Sequence, residues 1–166
     1  MSHQPVIDGF EFASAGATQQ GVLPVREFTR LKDQLASDAG EVAYAVQGTR
    51  DARGRPSLRV SVRGTLQLRC QRCLEAMPWQ VDHQALLVLA ATQAEIDAEP
   101  ADVASPDRVL AAKDMALRDL VEDELLLEAP YAPRHAACAA EAGEAHEGRR
   151  SPFAGLRGML RSTQKH

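Results

Sequence analysis

The pattern that most limits what this chain can become is an alternation in its middle third. Leu58, Val60 and Val62 alternate with Arg59, Ser61 and Arg63, and Leu66 and Leu68 alternate with Gln67 and Arg69. Met77, Trp79, Val81, Ala85, Leu87 and Leu89 then share one phase, interrupted by His83. Side chains along a strand point to opposite faces in turn, so this period builds a sheet with one apolar and one wet face. Arg63-Gly64 reads as a tight turn, which makes a hairpin whose outer face is rich in arginine. Val42, Tyr44 and Val46 supply an earlier strand, separated from Leu58 by a loop from Arg50 to Pro56. Connections this short favour antiparallel neighbours.

Helical spacing occurs twice. Pro24 suits a first turn, and Val25, Phe28, Leu31 and Leu35 predict an amphipathic helix ending near Gly40. Asp114 is the expected cap of a second helix through Glu128, with Leu117, Leu120, Val121 and Leu127 on one stripe and Ala129-Pro130 ending it. Glu124 falls on that stripe, where a buried carboxylate requires a partner, expected to be an arginine. No nucleophile, second positioned base or glycine-rich phosphate loop accompanies it, which argues against a catalytic acid.

The expected fold is therefore α+β, a mainly antiparallel sheet with two packed helices. The 166 residues suffice for one domain over 1–138. Aromatic residues make up only 4% of the chain, so Leu and Val must fill the core around Trp79, Phe28 and Tyr44 as large anchors. Residues 92–107, aperiodic and rich in Ala, Asp, Glu and Pro, read as a mobile acidic insertion, and 139–166 as a linker and flexible basic tail. In that tail Phe153 and Leu156, with Met159 and Leu160, line one side of a short helix that can meet a partner. The start of the chain lacks an export signal, and the longest apolar run, Ala85 to Ala91, is too short to span a bilayer. These readings point to the cytoplasm.

Cysteine carries the sharpest local signal. Cys70-Gln71-Arg72-Cys73 closes a strand and can turn both sulfurs to one side, while His135-Ala136-Ala137-Cys138 supplies a second short-spaced pair. Tetrahedral zinc takes four N or S donors, so Cys70, Cys73, His135 and Cys138 are candidate ligands of a structural Zn(II), the sole cofactor expected. Three ordinary reduced cysteines are the alternative. A thiol oxidoreductase is a further one, although its reactive cysteine sits at a helix N-terminus, and here a strand pattern and Pro78 follow.

The net charge of -4 conceals segregation along the chain. Arg53, Arg55, Arg59, Arg63, Arg69 and Arg72 gather on the hairpin and its loop, a candidate RNA-binding set whose guanidinium forks match phosphate oxygens. Few aromatics stand nearby to stack bases, so backbone recognition is favoured over sequence reading. A solvated face paired with acids of the same molecule is the competing reading.

Three separated motifs coincide: Arg69-Cys70-Gln71-Arg72-Cys73-Leu74, the run Leu120 to Leu127 leading into Pro130 and Pro133-Arg134-His135, and Ser151-Pro152-Phe153-Ala154-Gly155-Leu156. In order and spacing the chain resembles the YceD family of large ribosomal RNA subunit accumulation proteins. The resemblance implies a role in accumulation of 23S rRNA and assembly of the large subunit, with no established catalytic activity. Carried over by position, the family's cysteine pair falls on Cys70 and Cys73, its acidic triplet on Glu122, Asp123 and Glu124, and its later His and Cys on His135 and Cys138. The alanine-rich stretch Ala136 to Ala140 departs from the family pattern. Two modes of action follow: contact with rRNA through the arginine face, or docking of a basic large-subunit ribosomal protein on the acidic helix, where Glu122, Asp123 and Glu124 are partner-binding candidates. Neither involves a membrane or a small-molecule substrate.

Overall fold

The computed structural model describes residues 5–98 and 105–138. The chain divides into two compact units, 1–135 and 136–166, and in the second only 136–138 are described. The tail candidates Phe153 and Leu156 lie outside the described residues.

The first unit is α+β. In chain order it runs β1 (Val6–Ile7), α1 (Gly9–Ala15), β2 (Thr18–Pro24), β3 (Leu35–Ser37), β4 (Glu41–Arg50), β5 (Pro56–Arg69), β6 (Ala76–Ala90), α2 (Gln93–Ala98), β7 (Asp107–Leu110), β8 (Met115–Ala116) and α3 (Leu117–Glu128). The main sheet has the order β2-β4-β5-β6-β7, with β3 also pairing β5, and every pairing is antiparallel except β6 with β7. The predicted strands and the predominantly antiparallel sheet are thus present.

The alternation is obeyed without a slip. Register is constant from Ser57↔Val88 to Arg69↔Ala76, and on the other side from Val42↔Gly64 to Arg50↔Pro56. The even-numbered Leu58, Val60, Val62, Leu66 and Leu68 of β5 are therefore all buried, together with Val42, Tyr44 and Val46 of β4. Onto this face pack Val25, Phe28 and Leu31 and the inner side of α3, where Leu117, Leu120, Val121 and Leu125 are buried. Each such side chain contributes roughly 1.5–3 kcal/mol by leaving water. Trp79 packs against the core while remaining partly exposed.

Several expectations are corrected. No turn interrupts β5 at Arg63-Gly64. Gly64 is an interior position paired with Val42 on one side and Val81 on the other, and an added Cβ would lie 3.0 Å from the Glu41 carbonyl oxygen. Glycine here serves close strand approach, not reversal of the chain.

The helix expected over 25–40 is absent. Two short 3-10 turns, Val25–Glu27 and Lys32–Gln34, occupy that span and lead into β3. Val25 opens the first turn, Phe28 caps its end and Leu31 precedes the second, and all three are buried, so the apolar spacing marks core positions although no continuous helix carries them. The N–H groups of Arg30 and Leu31 donate to the Glu122 carboxylate of α3, bonds that replace the helical ladder.

The second helix forms, but Asp114 does not cap it; its N-cap is Ala116, which provides no side-chain hydrogen bond. The Leu117 N–H donates instead to the Pro5 carbonyl, because β8 leads into α3 while paired with β1. Leu125 takes the inward place expected of Leu127, which is 71% exposed.

Within the acidic 92–107 stretch the structure describes α2 and the start of β7. The Glu95 N–H donates to the Thr92 hydroxyl at the start of α2, and Arg108 donates to the carbonyls of Glu95 and Ile96 near its end. That second contact comes from β7, so no local pattern foretells it. The segment Val6 to Pro24 holds β1, α1 and β2, elements not among those predicted above. Among the described residues no helix is long and apolar enough to cross a membrane.

Candidate functional site

Strand parity places the first group of candidates. Arg59, Arg63 and Arg69 occupy odd positions of one unbroken strand, so all three leave the face opposite the core, and all are exposed. At about 3.3 Å per residue they spread over roughly 33 Å of strand. Across the strands Arg59 faces Gln47 and Leu86, Arg63 faces Ala43 and Asp82, and Arg69 faces Ala76, while Ser61 and Thr65 of β5 and their partners Gln84 and Gln80 line the same outer surface. The arginines differ in what holds them. Arg63 meets Asp82 at 3.0 Å, with both side chains at least 70% exposed, a pairing weakly held in water. Arg69 donates to the Leu35 carbonyl at 3.3 Å, a neutral acceptor.

Arg55 is committed to its own loop. Its Nε lies 2.7 Å from Asp51, and the Asp51 carboxylate also accepts the N–H groups of Arg53 and Arg55. Burial opposes the Asp51 charge, but those N–H groups and the Arg55 guanidinium hold its carboxyl below the usual carboxylate range. Arg53 shares this loop, and Arg72 is exposed in the turn after β5.

The acidic triplet splits between faces. Glu122 is 1% exposed and engaged with Arg30, whereas Asp123, also bonded to Arg30, is exposed. Glu124 is buried, but its neighbour is His83, with Nε2 at 3.4 Å, not the arginine expected. The other ring nitrogen of His83 lies 3.3 Å from Glu128. Burial pushes the Glu124 carboxyl above the usual range, against the pull of His83 and with the support of Asp107 and Asp123.

The second group lies where β5 turns into β6. Cys70 is fully buried, and its N–H and C=O bond to Glu75 and Leu74 across the turn. Leu74 adopts φ 64°, the left-handed conformation usually taken by glycine in such a turn. The Gln71 N–H donates to the Pro133 carbonyl at 2.8 Å, so the segment after α3 is bonded directly to the turn. This brings His135 back across 61 intervening residues, with its Nδ1 at 3.4 Å from the Cys73 sulfur. Its Nε2 is 3.1 Å from the Ala76 carbonyl, a contact that assigns the ring proton to Nε2 and leaves the Nδ1 lone pair facing the thiols.

The Cys70 thiol is pulled down to about 5, first by the backbone N–H of Cys73, then by those of Arg72 and His135, against the opposing effect of burial. The donor atoms of Cys70, Cys73 and His135 all lie within 4.8 Å of one another. Cys138 is a member of the same group of metal-competent side chains. It stands three residues beyond His135, so chain length alone keeps the two Cα atoms within about 11 Å. This Cys3His set fits a metal ion: zinc bonds of about 2.3 Å to sulfur and 2.0–2.1 Å to nitrogen put tetrahedral donors roughly 3.5–3.8 Å apart.

No curated protein and no solved structure matches the chain. Residues 58–158, from the arginine strand through the Cys/His group, match the family described as "Large ribosomal RNA subunit accumulation protein YceD". With more than half of its length inside that match, the chain belongs to the YceD family.

Proposed function

We propose that this protein is a non-enzymatic assembly factor of the large ribosomal subunit, which supports accumulation of 23S rRNA by binding rRNA phosphates on the open face of its sheet. The observation that carries this reading is Arg59, Arg63 and Arg69, all exposed and on the side of β5 away from the core, in a family named for large-subunit rRNA accumulation. Guanidinium groups on such a face neutralise phosphates and release counterions. The weak Arg63–Asp82 pair can be surrendered at small cost. Arg53, Arg55 and Arg72 border this face, with Arg55 serving mainly to close its loop.

Amides and hydroxyls from Gln47, Ser61, Thr65, Gln80 and Gln84 supply neutral donors beside the arginines, suited to sugar and phosphate contacts. With no exposed aromatic among them, the face is suited to the backbone and not to stacked bases. The factor then acts by shielding an immature RNA segment until ribosomal proteins replace it, which places its work in the cytoplasm. The position of Cys70 in a strand-to-strand turn, not at a helix N-terminus, favours binding over thiol redox chemistry. Docking of a basic ribosomal protein on α3 is the other mode, and it draws less support because Glu122 and Glu124 face inward.

Crosslinking in cells followed by sequencing of the attached RNA tests the proposal. Enrichment of large-subunit over small-subunit rRNA is expected, with loss of the signal in the R59E/R63E/R69E variant. Crosslinking that persists in that variant, or recovery of a ribosomal protein with no RNA, would overturn it.

A further inference from the structure

We propose that Cys70, Cys73, His135 and Cys138 hold one structural Zn(II), which fastens the β5–β6 turn to the chain that follows α3. This goes beyond the RNA-binding reading and does not depend on it.

The turn has the features of a metal knuckle although its sequence lacks the usual glycine. Leu74 holds a left-handed backbone, a conformation that persists only where the surrounding bonds over-determine the turn. Those bonds are the Cys70–Glu75 and Cys70–Leu74 backbone pairs, and the Gln71–Pro133 bond that ties the turn to the later segment.

His135 is prepared in the same sense. Its Nε2–H is held by the Ala76 carbonyl, so Nδ1 is the free donor, and that atom is the one beside Cys73. Orientation of a ligating imidazole by a carbonyl on its far nitrogen is the usual support of a metal-binding histidine.

The donor types select the metal. Three sulfurs and one imidazole nitrogen suit tetrahedral zinc, and the group contains no carboxylate of the kind Mg(II) or Ca(II) needs. It also lacks the fourth cysteine of a common iron–sulfur centre. Three thiolates and Zn(II) leave one net negative charge, and Arg72 and Arg134 adjoin the ligands in sequence. Closed four-ligand sites of this kind contribute folding energy and perform no chemistry.

The test uses the full chain purified without chelators. One zinc per chain is expected by elemental analysis, with an X-ray absorption fit of three sulfurs at about 2.3 Å and one nitrogen at about 2.0–2.1 Å. Replacement by Co(II) should give the intense visible bands of a tetrahedral site and a thiolate-to-cobalt charge-transfer band. In C138S that band should fall by about one third, with metal held at least tenfold more weakly, since even outer-shell losses cost that much. Metal-free protein that gains no zinc on refolding with it, or a pale octahedral Co(II) spectrum, would overturn the site. An undiminished charge-transfer band in C138S would overturn the place of Cys138 in it. The wild-type stoichiometry and absorption fit stand even if the C70S and C73S variants fail to fold.

Discussion

The Glu122 carboxylate is buried beneath Arg30 and binds it twice, accepting its backbone N–H at 2.6 Å and its Nε at 3.2 Å, while the Leu31 N–H donates to the same oxygen as the first at 3.1 Å. A single carboxylate thus organises the coiled segment between β2 and β3 from 92 residues away. Replacing it with alanine leaves two N–H groups without an acceptor, so E122A is expected to lose about 3–5 kcal/mol in urea unfolding. R30A keeps both backbone donors satisfied and should cost much less, about 1–2 kcal/mol. Equal losses in the two variants would contradict this division of roles.

Glu124 gives stability a pH dependence of known sign. Its folded-state carboxyl is raised, so the folded protein holds the proton more tightly than the unfolded chain does. The stability gained by protonation is present at low pH and is lost as pH rises from the ordinary glutamate value through the raised one. E124Q cannot titrate. Relative to E124Q, the wild type should therefore lose stability across that window, by about 1.4 kcal/mol for each unit of displacement. Urea titrations at several pH values, repeated with H83Q to remove the facing imidazole, measure the difference. A flat difference curve would show that burial does not govern this carboxyl.

The arginines separate binding from folding. R59E/R63E/R69E should retain its unfolding free energy to within about 1 kcal/mol, since the only ion pair it breaks among the described residues is exposed. Its RNA affinity should collapse at low salt, and triple replacement by glutamine should make the salt dependence of binding shallower by about two in the log–log slope. R55A should show the opposite signature, because Arg55 closes the Asp51 loop. There stability should fall while the salt slope hardly changes. Filter binding over a salt series, beside thermal melts, distinguishes the two.

Gly48 is a point of close contact between α1 and the sheet. A Cβ there would collide with the Phe12 carbonyl oxygen and lie 2.8 Å from the Ala13 Cα, and neither is a side-chain atom that can swing away. G48A is expected to displace α1 and cost at least about 3 kcal/mol, read as a lowered denaturant midpoint. A midpoint within experimental error of the wild type would mean that α1 is not seated on β4 as described.

The parity of Leu58 to Leu68 specifies both the core face and the outward arginines, and it does so even though the turn expected at Gly64 does not exist, because phase survives whether or not the strand is broken. Likewise the Cys and His spacing marks the members of the metal-competent group before any fold is known. The spacing of Val25, Phe28 and Leu31 correctly marks buried positions but not the backbone that carries them. Three-residue periodicity fits an α-helix and a 3-10 turn alike, and the carboxylate that decides between them lies on α3.

What local order along the chain settles is therefore which side chains enter the core and which groups are available for chemistry, because side-chain direction in a strand depends on neighbours one or two residues away. Which charges pair is settled only by folding. Glu122 finds Arg30, Glu124 finds His83, and His135 reaches Cys73, over separations of 92, 41 and 62 residues (124 − 83 for the second). Ionic and hydrogen-bond partners are chosen by distance in space, and burial makes that choice costly to reverse.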